Sequence, residues 1–241
     1  IDLDAVLGTG YIEHHIEDNP YTLFPQAYRT ERPDKVTASL LEGRVAIMAN
    51  GTPFALIVPT ELPMFMQAPD EYFEPLPFGI FIRLLRYAAL IISLVLPGIY
   101  VGVVTFHPEL LPTSLFLRII SSREGVPFPV LAEMLILELI FEMLREAGLR
   151  LPPAIGPAIS IVGALILGDA AIRAGLVSPG VVIVVALTAI AGFTTPAFSL
   201  SVAFRLIRFA FTIFGATFGL FGLQFALLLT LVHLCSLRTF G

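Results

Sequence analysis

The sequence has little charge, a single lysine, a single cysteine and no tryptophan. Charged residues make up 14% of the 241 residues. Soluble domains carry about 25%, so an ordinary soluble globule is disfavoured. Because Lys35 is the only lysine and the polar part of the chain has no basic cluster, a nucleic-acid partner is also disfavoured. Cys235 alone excludes a disulfide framework or a thiolate metal site within the chain.

The motifs that mark common enzyme classes are also missing. The sequence has no G-x-x-x-x-G-K-[ST] phosphate loop, no G-x-G-x-x-G, no G-x-S-x-G and no H-E-x-x-H. The run EHHIED at 13–18 has metal-ligand chemistry. Adjacent histidines point apart in a regular element, however, so a solvated acidic face is the better interpretation. We therefore expect the chain to be neither an enzyme nor a metal or cofactor protein.

Charge is distributed unevenly along the chain. Residues 1–80 contain twelve acidic and four basic residues, whereas residues 81–241 contain seven acidic and ten basic residues. Hydropathy changes at the same place, and the mean hydropathy of the whole chain is +0.88. We therefore predict a polar domain at 1–79 and a transmembrane domain at 80–241. Because the chain begins at Ile1 rather than at a methionine, we expect it to be a piece of a longer protein.

The polar domain has the pattern of part of a small α/β fold. A short helix is predicted at 36–42 and ends at Gly43, where a positive φ costs little. Two apolar, β-prone runs follow at 44–49 and 52–59, separated by an Asn-Gly pair. Asn-Gly between two such runs is the strongest short-range signal of a β-hairpin.

From residue 87 onwards the chain contains long uncharged runs. Tyr87–Phe106 is twenty residues without a charge, and about 20 helical residues cross roughly 30 Å of hydrocarbon. Similar runs predict further spans at 180–198 and 209–234, and a weaker span is predicted at 155–172, where the uncharged run ends at Asp169. The fold class that follows is an α-helical polytopic membrane protein of about four or five spans, preceded by part of the small α/β domain.

The candidate fifth span, at 129–147, is apolar enough to insert but carries several charges. Glu138, Glu142, Arg145 and Glu146 fall within an arc of about 100° on a helix, and Glu133 lies outside that arc. A carboxylate at the bilayer centre costs several kcal/mol unless it faces protein or water. Two interpretations stay open: the helix spans with its acidic stripe facing a water-filled path, or it lies in the interface with the stripe in water.

Two arguments concern the charges of this segment. If it spans and the polar domain is cytoplasmic, six arginines after residue 80 fall inside and four outside, and the numbers reverse if it does not span. The positive-inside rule therefore favours five spans. In addition, Arg145 follows Glu142 by three residues, so the two side chains can pair.

The segment 180–198 has one face of small, hydroxyl and valine side chains. These residues are Val181, Val184, Val185, Thr188, Ala191, Gly192 and Thr195. Small residues and threonine are typical of tight helix–helix contacts in membranes. The same face could line a pore, since hydroxyls contact water or ions and valines form a hydrophobic constriction. Elsewhere, Gly98-xxx-Gly102 and Gly215-xxx-Gly219 offer faces for close packing.

Two long stretches resemble a known family. Residues 30–59, TERPDKVTASLLEGRVAIMANGTPFALIVP, resemble the end of the cytosolic domain in the A subunits of bacterial spore germinant receptors, the GerA family. Residues 127–196 are more similar still, through PFPVLAEMLILELIFEMLREAGLRLP, IGPAISIVGALILGDAAIRAGLVSP and VVIVVALTAIAGFTTP. The resemblance runs along nearly the whole chain.

This resemblance implies an integral protein of the spore inner membrane, with its polar N-terminal part in the cytoplasm, acting in nutrient-triggered germination. It implies a homo-oligomer, a pentamer, that forms a nutrient-gated channel for monovalent cations in the lipid bilayer. The implied partners are a transporter-like B subunit, which senses the nutrient, and a lipoprotein C subunit.

The resemblance also bears on the candidate site residues. It favours the pore interpretation of the Thr188 face, and it makes Glu133, Glu138 and Glu142 candidates for a cation-attracting vestibule or an intersubunit contact. Two alternatives stay open: a non-conducting scaffold or signal-transducing subunit, and the stage-V operon relative that amplifies germination. A secondary transporter is disfavoured because the sequence has no internal repeat.

Overall fold

The polar part of the chain is built on three short antiparallel strands. The computed structural model describes residues 8–68, 71, 73–150 and 156–238. The strands are β1 (Tyr28–Thr30), β2 (Val45–Met48) and β3 (Ala55–Val58), in the spatial order β1-β3-β2. All four residues of the central strand β3 are buried, which is the environment that its β-branched and aliphatic side chains favour.

The predicted β-hairpin is confirmed. Val45 of β2 pairs with Val58 of β3, and Met48 pairs with Ala55. Gly51, in the connecting loop, has a φ of +89°, a left-handed conformation that glycine adopts without steric cost. The loop is longer than the two-residue turn that Asn-Gly most often forms, because pairing stops at Met48 and resumes only at Ala55.

Three helices accompany the sheet: α1 (Thr9–Ile16), α2 (Pro33–Leu41) and α3 (Leu62–Met66). The predicted helix at 36–42 is confirmed as α2, and Gly43 after it has a φ of +83°. The helix starts earlier than predicted because Pro33 occupies its first turn, where a missing N–H leaves no hydrogen bond unmade.

The rest of the chain is mostly helical. Its helices are α4 (Leu76–Phe106), α5 (Thr113–Ser122), α6 (Val130–Arg150), α7 (Gly156–Arg173), α8 (Pro179–Gly192) and α9 (Phe198–Ser236). Among the described residues, α4 and α9 are long and apolar enough to cross a membrane, and α8 is a shorter apolar helix. The number of membrane crossings stays a prediction. The described residues form two compact units, one from residues up to 88, 194–204 and 230 onwards, the other from 89–193 and 205–229.

Each predicted span coincides with a helix, but the bounds differ. The spans at 87–106 and 129–147 lie on α4 and α6, and the span at 155–172 lies on α7, with residue 155 outside the described residues. The span at 180–198 is shorter than predicted, because α8 ends at Gly192. Pro196 explains this early end, since the residue before a proline is disfavoured in the helical conformation.

Glu71 connects the start of α4 to the preceding polar domain. Glu71 accepts a hydrogen bond of 3.0 Å from Nε of Arg83 and forms a close ion pair with Arg86, whose Nη1 also donates to the Met66 carbonyl oxygen at 2.6 Å. Burial alone would raise the pKa of Glu71. Hydrogen bonds from Arg86, the Ala68 N–H and Arg83 outweigh that effect, and the pKa lies below its usual value.

The structure differs from the single span predicted at 209–234, because α9 reverses direction at Gly219. That residue has a φ of +63° and a ψ of −146°, outside the helical region. The ring centroids of Phe214 and Phe225 lie 6.3 Å apart, whereas eleven residues of a straight helix would separate them by about 16 Å. We call residues 198–218 the first arm of α9 and residues 220–236 its second arm.

The two glycine pairs pack against each other, as their spacing predicts. A Cβ added at Gly215 would lie 2.5 Å from the carbonyl oxygen of Gly98 and 3.0 Å from its Cα. A Cβ added at Gly102 would lie 3.2 Å from the Gly215 carbonyl oxygen and 3.3 Å from the carbonyl carbon of Gly219. The backbones of α4 and of the first arm therefore touch, and the two run in the same direction.

We predict that Gly215→Ala lowers the thermal unfolding midpoint of the detergent-solubilised full-length protein. The added Cβ meets backbone atoms of α4 that cannot rotate away, and overpacking of this kind costs about 1–3 kcal/mol. Gly192→Ala is the matched control, because a Cβ there meets nothing within 4 Å. Equal midpoints for the two variants would contradict the close contact between α4 and the first arm.

Candidate functional site

The face of α8 that was predicted to line a pore or to pack is buried within the chain. Thr188 is 1% exposed and Val181 is fully buried. Val184, Val185 and Ala191 are also buried. The opposite face carries the exposed side chains Ile183, Leu187 and Ile190. A pore between subunits is lined by side chains that a single subunit exposes, so this burial favours the packing interpretation; the pore-lining assignment stays a prediction.

The hydroxyl of Thr188 is satisfied inside its own helix. Its Oγ1 donates a 2.7 Å hydrogen bond to the carbonyl oxygen of Val184. The valines of the same helix, Val181, Val184 and Val185, belong to a core that includes Val101 of α4 and Met134 of α6. Thr195 lies beyond the end of α8, so the helical spacing that joined it to the stripe in the sequence does not hold in the structure.

Glu133 of α6 is fully buried and is contacted by Ser178 and Arg123, which lie outside α6. Its Oε2 accepts hydrogen bonds from the backbone N–H and the hydroxyl of Ser178, at 2.7 and 2.8 Å. Its Oε1 lies 3.0 Å from Nη2 of Arg123. Ser178 is the residue that precedes α8, so this carboxylate also stands at the positive end of the α8 dipole. Glu133 thereby ties the first turn of α6 to the start of α8.

Two further glutamates of α6 pair with two arginines in the first arm of α9. Glu138 is 1% exposed, and its Oε1 lies 3.2 Å from Nε of Arg208. The angle is poor for a hydrogen bond, so this contact is an ion pair only. One turn further along, Glu142 forms a close ion pair with Arg205. Because residue numbers rise along α6 as they fall along the first arm, the two helices are antiparallel.

Arg145 completes this cluster. Its Nη1 lies 3.5 Å from Glu142, so the predicted pairing is confirmed. Its guanidinium also lies over the ring of Phe193, 4.8 Å from the centroid, a favourable cation–π geometry. We call Glu138, Glu142, Arg145, Arg205 and Arg208 the charge cluster.

The charge cluster bears on the acidic stripe, whose assignment of Glu133, Glu138 and Glu142 to a cation-attracting vestibule or an intersubunit contact stays a prediction. Neither water-facing alternative describes Glu138, which is buried against Arg208, and Glu133 is buried against Arg123. Both are carboxylates that meet a guanidinium within the same chain. Their charge is neutralised locally, which leaves little net field to attract a cation.

Sequence reasoning missed the arginine partners. Arg205 and Arg208 were counted only for membrane orientation. Arg205 and Arg208 are three residues apart, and Glu138 and Glu142 are four apart. Either spacing places two side chains on the same face of a helix. Each of the two apolar helices therefore carries two like charges on one face, and the charges of the two helices are opposite in sign. This pattern could have predicted that the glutamates pair with the arginines.

The run at 13–18 makes local contacts and a few contacts further along the chain: Glu13 lies 4.0 Å from Arg29, and the Asp18 N–H donates to Oε1 of Gln26 at 3.0 Å. Nδ1 of His15 lies 2.8 Å from the carbonyl oxygen of Tyr11, and Nδ1 of His14 lies 3.8 Å from Glu17. Across residues 8–68, 71, 73–150 and 156–238, no group of three or more His, Cys, Asp or Glu side chains is placed to hold a metal ion.

We predict that Arg208→Met strongly destabilises the protein, because it leaves the buried charge of Glu138 without a partner. Breaking one partner of a buried ion pair costs about 3–5 kcal/mol. The double variant Glu138→Leu/Arg208→Met should recover most of that loss, since it removes both charges together. The measurement is a double-mutant cycle of unfolding in detergent.

Arg150→Met is the matched control for this cycle. Its partner Glu146 lies on the same helix, and both side chains are more than half exposed, so the pair contributes about 0–1 kcal/mol. If Arg208→Met were as mild as Arg150→Met, the ion pair would not hold α6 against α9.

Comparison with known proteins agrees with the family resemblance. The family model described as Bacillus/Clostridium GerA spore germination protein matches residues 1–241. Spore germination protein KA of Bacillus subtilis (strain 168) is 52% identical over 100% of this chain and 44% of its own length. Spore germination protein A1 of the same strain is 45% identical over 100% of this chain and 50% of its own length.

Uncharacterized membrane protein YfkQ, also from Bacillus subtilis (strain 168), is 49% identical over 100% of this chain and 47% of its own length. The chain therefore spans about half the length of the curated relatives it matches. No solved structure matches it significantly. Because the family model and these relatives cover every residue from 1 to 241, the chain belongs to the GerA family of spore germination proteins.

Proposed function

We propose that this chain is the membrane-embedded part of a germinant-receptor A subunit that acts in nutrient-triggered germination of an endospore-forming bacterium. The observation that carries the proposal is the identity of 45–52% with two spore germination proteins over the whole chain. Two helices long and apolar enough to cross a bilayer support a membrane location. We place the protein in the spore inner membrane, with its polar unit in the cytoplasm.

We further propose that the intact subunit forms a homo-oligomer, a pentamer, that conducts monovalent cations when nutrient is sensed. A transporter-like B subunit and a lipoprotein C subunit complete the receptor. The role requires no catalytic residue, no cofactor and no nucleic acid. The exposed apolar side chains of the second arm of α9, among them Phe221 and Phe225, supply surface for lipid or for neighbouring subunits.

The charge cluster restricts how such a channel opens. Separating α6 from the first arm of α9 would leave Glu138 and Arg208 unpaired in a low-dielectric region, at a cost of several kcal/mol per ion. Nutrient binding elsewhere must supply any free-energy difference between closed and open states. We therefore propose that α6 and the first arm move together, and that gating changes contacts between subunits.

The burial of the α8 stripe favours a second candidate function. If its small residues serve only to pack the helices of one subunit, the chain acts as a scaffold or signal-transducing subunit without a conduction path of its own. A subunit that amplifies germination, like the stage-V operon relative, is a variant of this candidate.

The receptor role predicts a nutrient-specific phenotype. Deletion of the full-length gene, in a host that lacks its other receptors of this family, should abolish germination with one nutrient or nutrient mixture. Re-expression of the full-length protein should restore it. The measurement is the loss of spore refractility after addition of single nutrients. Slower germination with every nutrient would instead identify an amplifier, and no change with any nutrient would contradict a germination role.

Cation flux separates the channel from the scaffold. Liposomes that contain the full-length protein with its partner subunits should release monovalent cations when nutrient is added. Thr188→Val should leave that flux and the unfolding midpoint unchanged, because the Thr188 hydroxyl bonds only to its own helix. If Thr188→Val changed the flux but not the unfolding midpoint, the result would support a pore-lining role for the face of α8 that contains Thr188. No flux from the assembled wild-type receptor would support the scaffold.

A further inference from the structure

Helix α5 follows α4 and precedes α6 in the chain, and it packs poorly against the protein. None of its ten residues is buried, and Leu115, Leu117 and Ile120 are 45–59% exposed. Apart from Thr113 at its first position, its polar side chains share one face, within an arc of about 100° at helical spacing. These side chains are Ser114, Arg118, Ser121 and Ser122.

The position of α5 in the chain puts it at a membrane surface. It follows α4, which is long enough to cross a bilayer and ends at Phe106, and it precedes α6, which begins at Val130. A helix with a narrow polar face and a broad apolar face lies in the plane of the interface, with the apolar face 5–10 Å into the boundary of the acyl chains. This placement explains why Leu115, Leu117 and Ile120 are exposed, because their side chains would contact lipid.

An open cavity of about 1060 Å³ lies between α5 and the helices beside it. Val101 and Val104 of α4, Val130 of α6 and Ala216 of the first arm form its walls, and the apolar side chains Phe116 and Ile120 of α5 also line it. Its volume is at the upper end of the range of about 300–1,000 Å³ for small-ligand pockets. Two of its walls, α4 and α9, are long and apolar enough to cross a membrane, so in a bilayer an apolar chain could enter the cavity.

Positive charge borders the same cavity. Arg118 is exposed on the polar face of α5, and Arg123, one residue after the helix ends, lines the cavity while it pairs with Glu133. Guanidinium groups bind phosphate oxygens with good geometry. Glu124, also on the rim, is exposed, and Arg123 is paired with Glu133, so Arg118 is the guanidinium that remains for a phosphate.

We propose that this cavity binds a membrane phospholipid, with an acyl chain between α4, α5 and α6 and with its phosphate on the Arg118 side of α5. An apolar cavity, an apolar helix face and the exposed Arg118 on the helix beside the cavity match the two ends of a phospholipid. The bound lipid fills space that the packed side chains leave open. The proposal requires only a membrane location and does not depend on a role in germination.

The first test measures lipid that remains bound to the full-length protein after mild detergent extraction. Native mass spectrometry should detect retained phospholipid in the wild type and its loss in Ala216→Phe, whose added ring fills the cavity. Ala186→Phe makes the same change at an exposed position of α8 and should retain the lipid. Retention in Ala216→Phe at the wild-type level would overturn the proposal.

A second test does not depend on the stability of a cavity-filled variant. Because residues 1–241 contain no tryptophan, Ile120→Trp adds a fluorophore that faces the cavity, and Ser122→Trp adds one on the polar face. In vesicles of phosphatidylglycerol and phosphatidylcholine with brominated acyl chains, Ile120→Trp should be quenched strongly and Ser122→Trp weakly. Equal quenching, or an Ile120→Trp signal that depends on subunit assembly rather than on brominated lipid, would show that another protein segment occupies the cavity.

The headgroup part has its own readout. Arg118→Gln should reduce the preference of the extracted protein for phosphatidylglycerol over phosphatidylcholine, without loss of total retained lipid. An unchanged preference would place the phosphate away from Arg118 and overturn that part of the proposal.

Discussion

A charged side chain in an apolar environment requires a partner of opposite charge, and the packing of α6 depends on that constraint. Glu133 is held by Arg123 and Ser178, Glu138 by Arg208, and Glu142 by Arg205. These partners lie on different helical turns or in different elements. The three pairs therefore fix both the rotation of α6 about its axis and its position along that axis. A shift of α6 by one turn would break the Glu133 contacts and leave at most one of Glu138 and Glu142 opposite an arginine of the first arm, which disfavours such a shift.

Glycine contacts supply a second kind of constraint, through shape rather than charge. Gly98 and Gly215 let two backbones touch, and Gly219 lets α9 reverse where a side chain would be strained. Close backbone approach increases dispersion contacts between helices, which matters in a bilayer because lipid tails are as apolar as the side chains. Ion pairs thus set the register of α6, whereas glycine residues, which have no side chain, set the distance between α4 and α9.

Local signals in the sequence were sufficient for part of this architecture. Asn50-Gly51 predicted the hairpin, Gly43 the end of α2, uncharged runs the apolar helices, and paired glycines the contact between α4 and α9. The partners of the glutamates could not be predicted in the same way, because Glu142 and Arg205 are 63 residues apart and no local pattern joins them. The spacing of Gly215 and Gly219 indicates packing, but it does not indicate which glycine adopts a positive φ. The face of α8 that contains Thr188 has a composition that suits both packing and conduction, so the sequence leaves both interpretations open.

The reversal at Gly219 also bears on how α9 enters a bilayer during synthesis. If α9 inserts as two arms joined at a tight turn, the chain leaves on the side from which it entered. No polar segment then has to be translocated, which is the costly part of inserting a single helix. The two arginines of the first arm would be unpaired during that step unless α6 were already in place. The order of the chain, with its glutamate-bearing helix synthesised first, provides the counter-charges before they are needed.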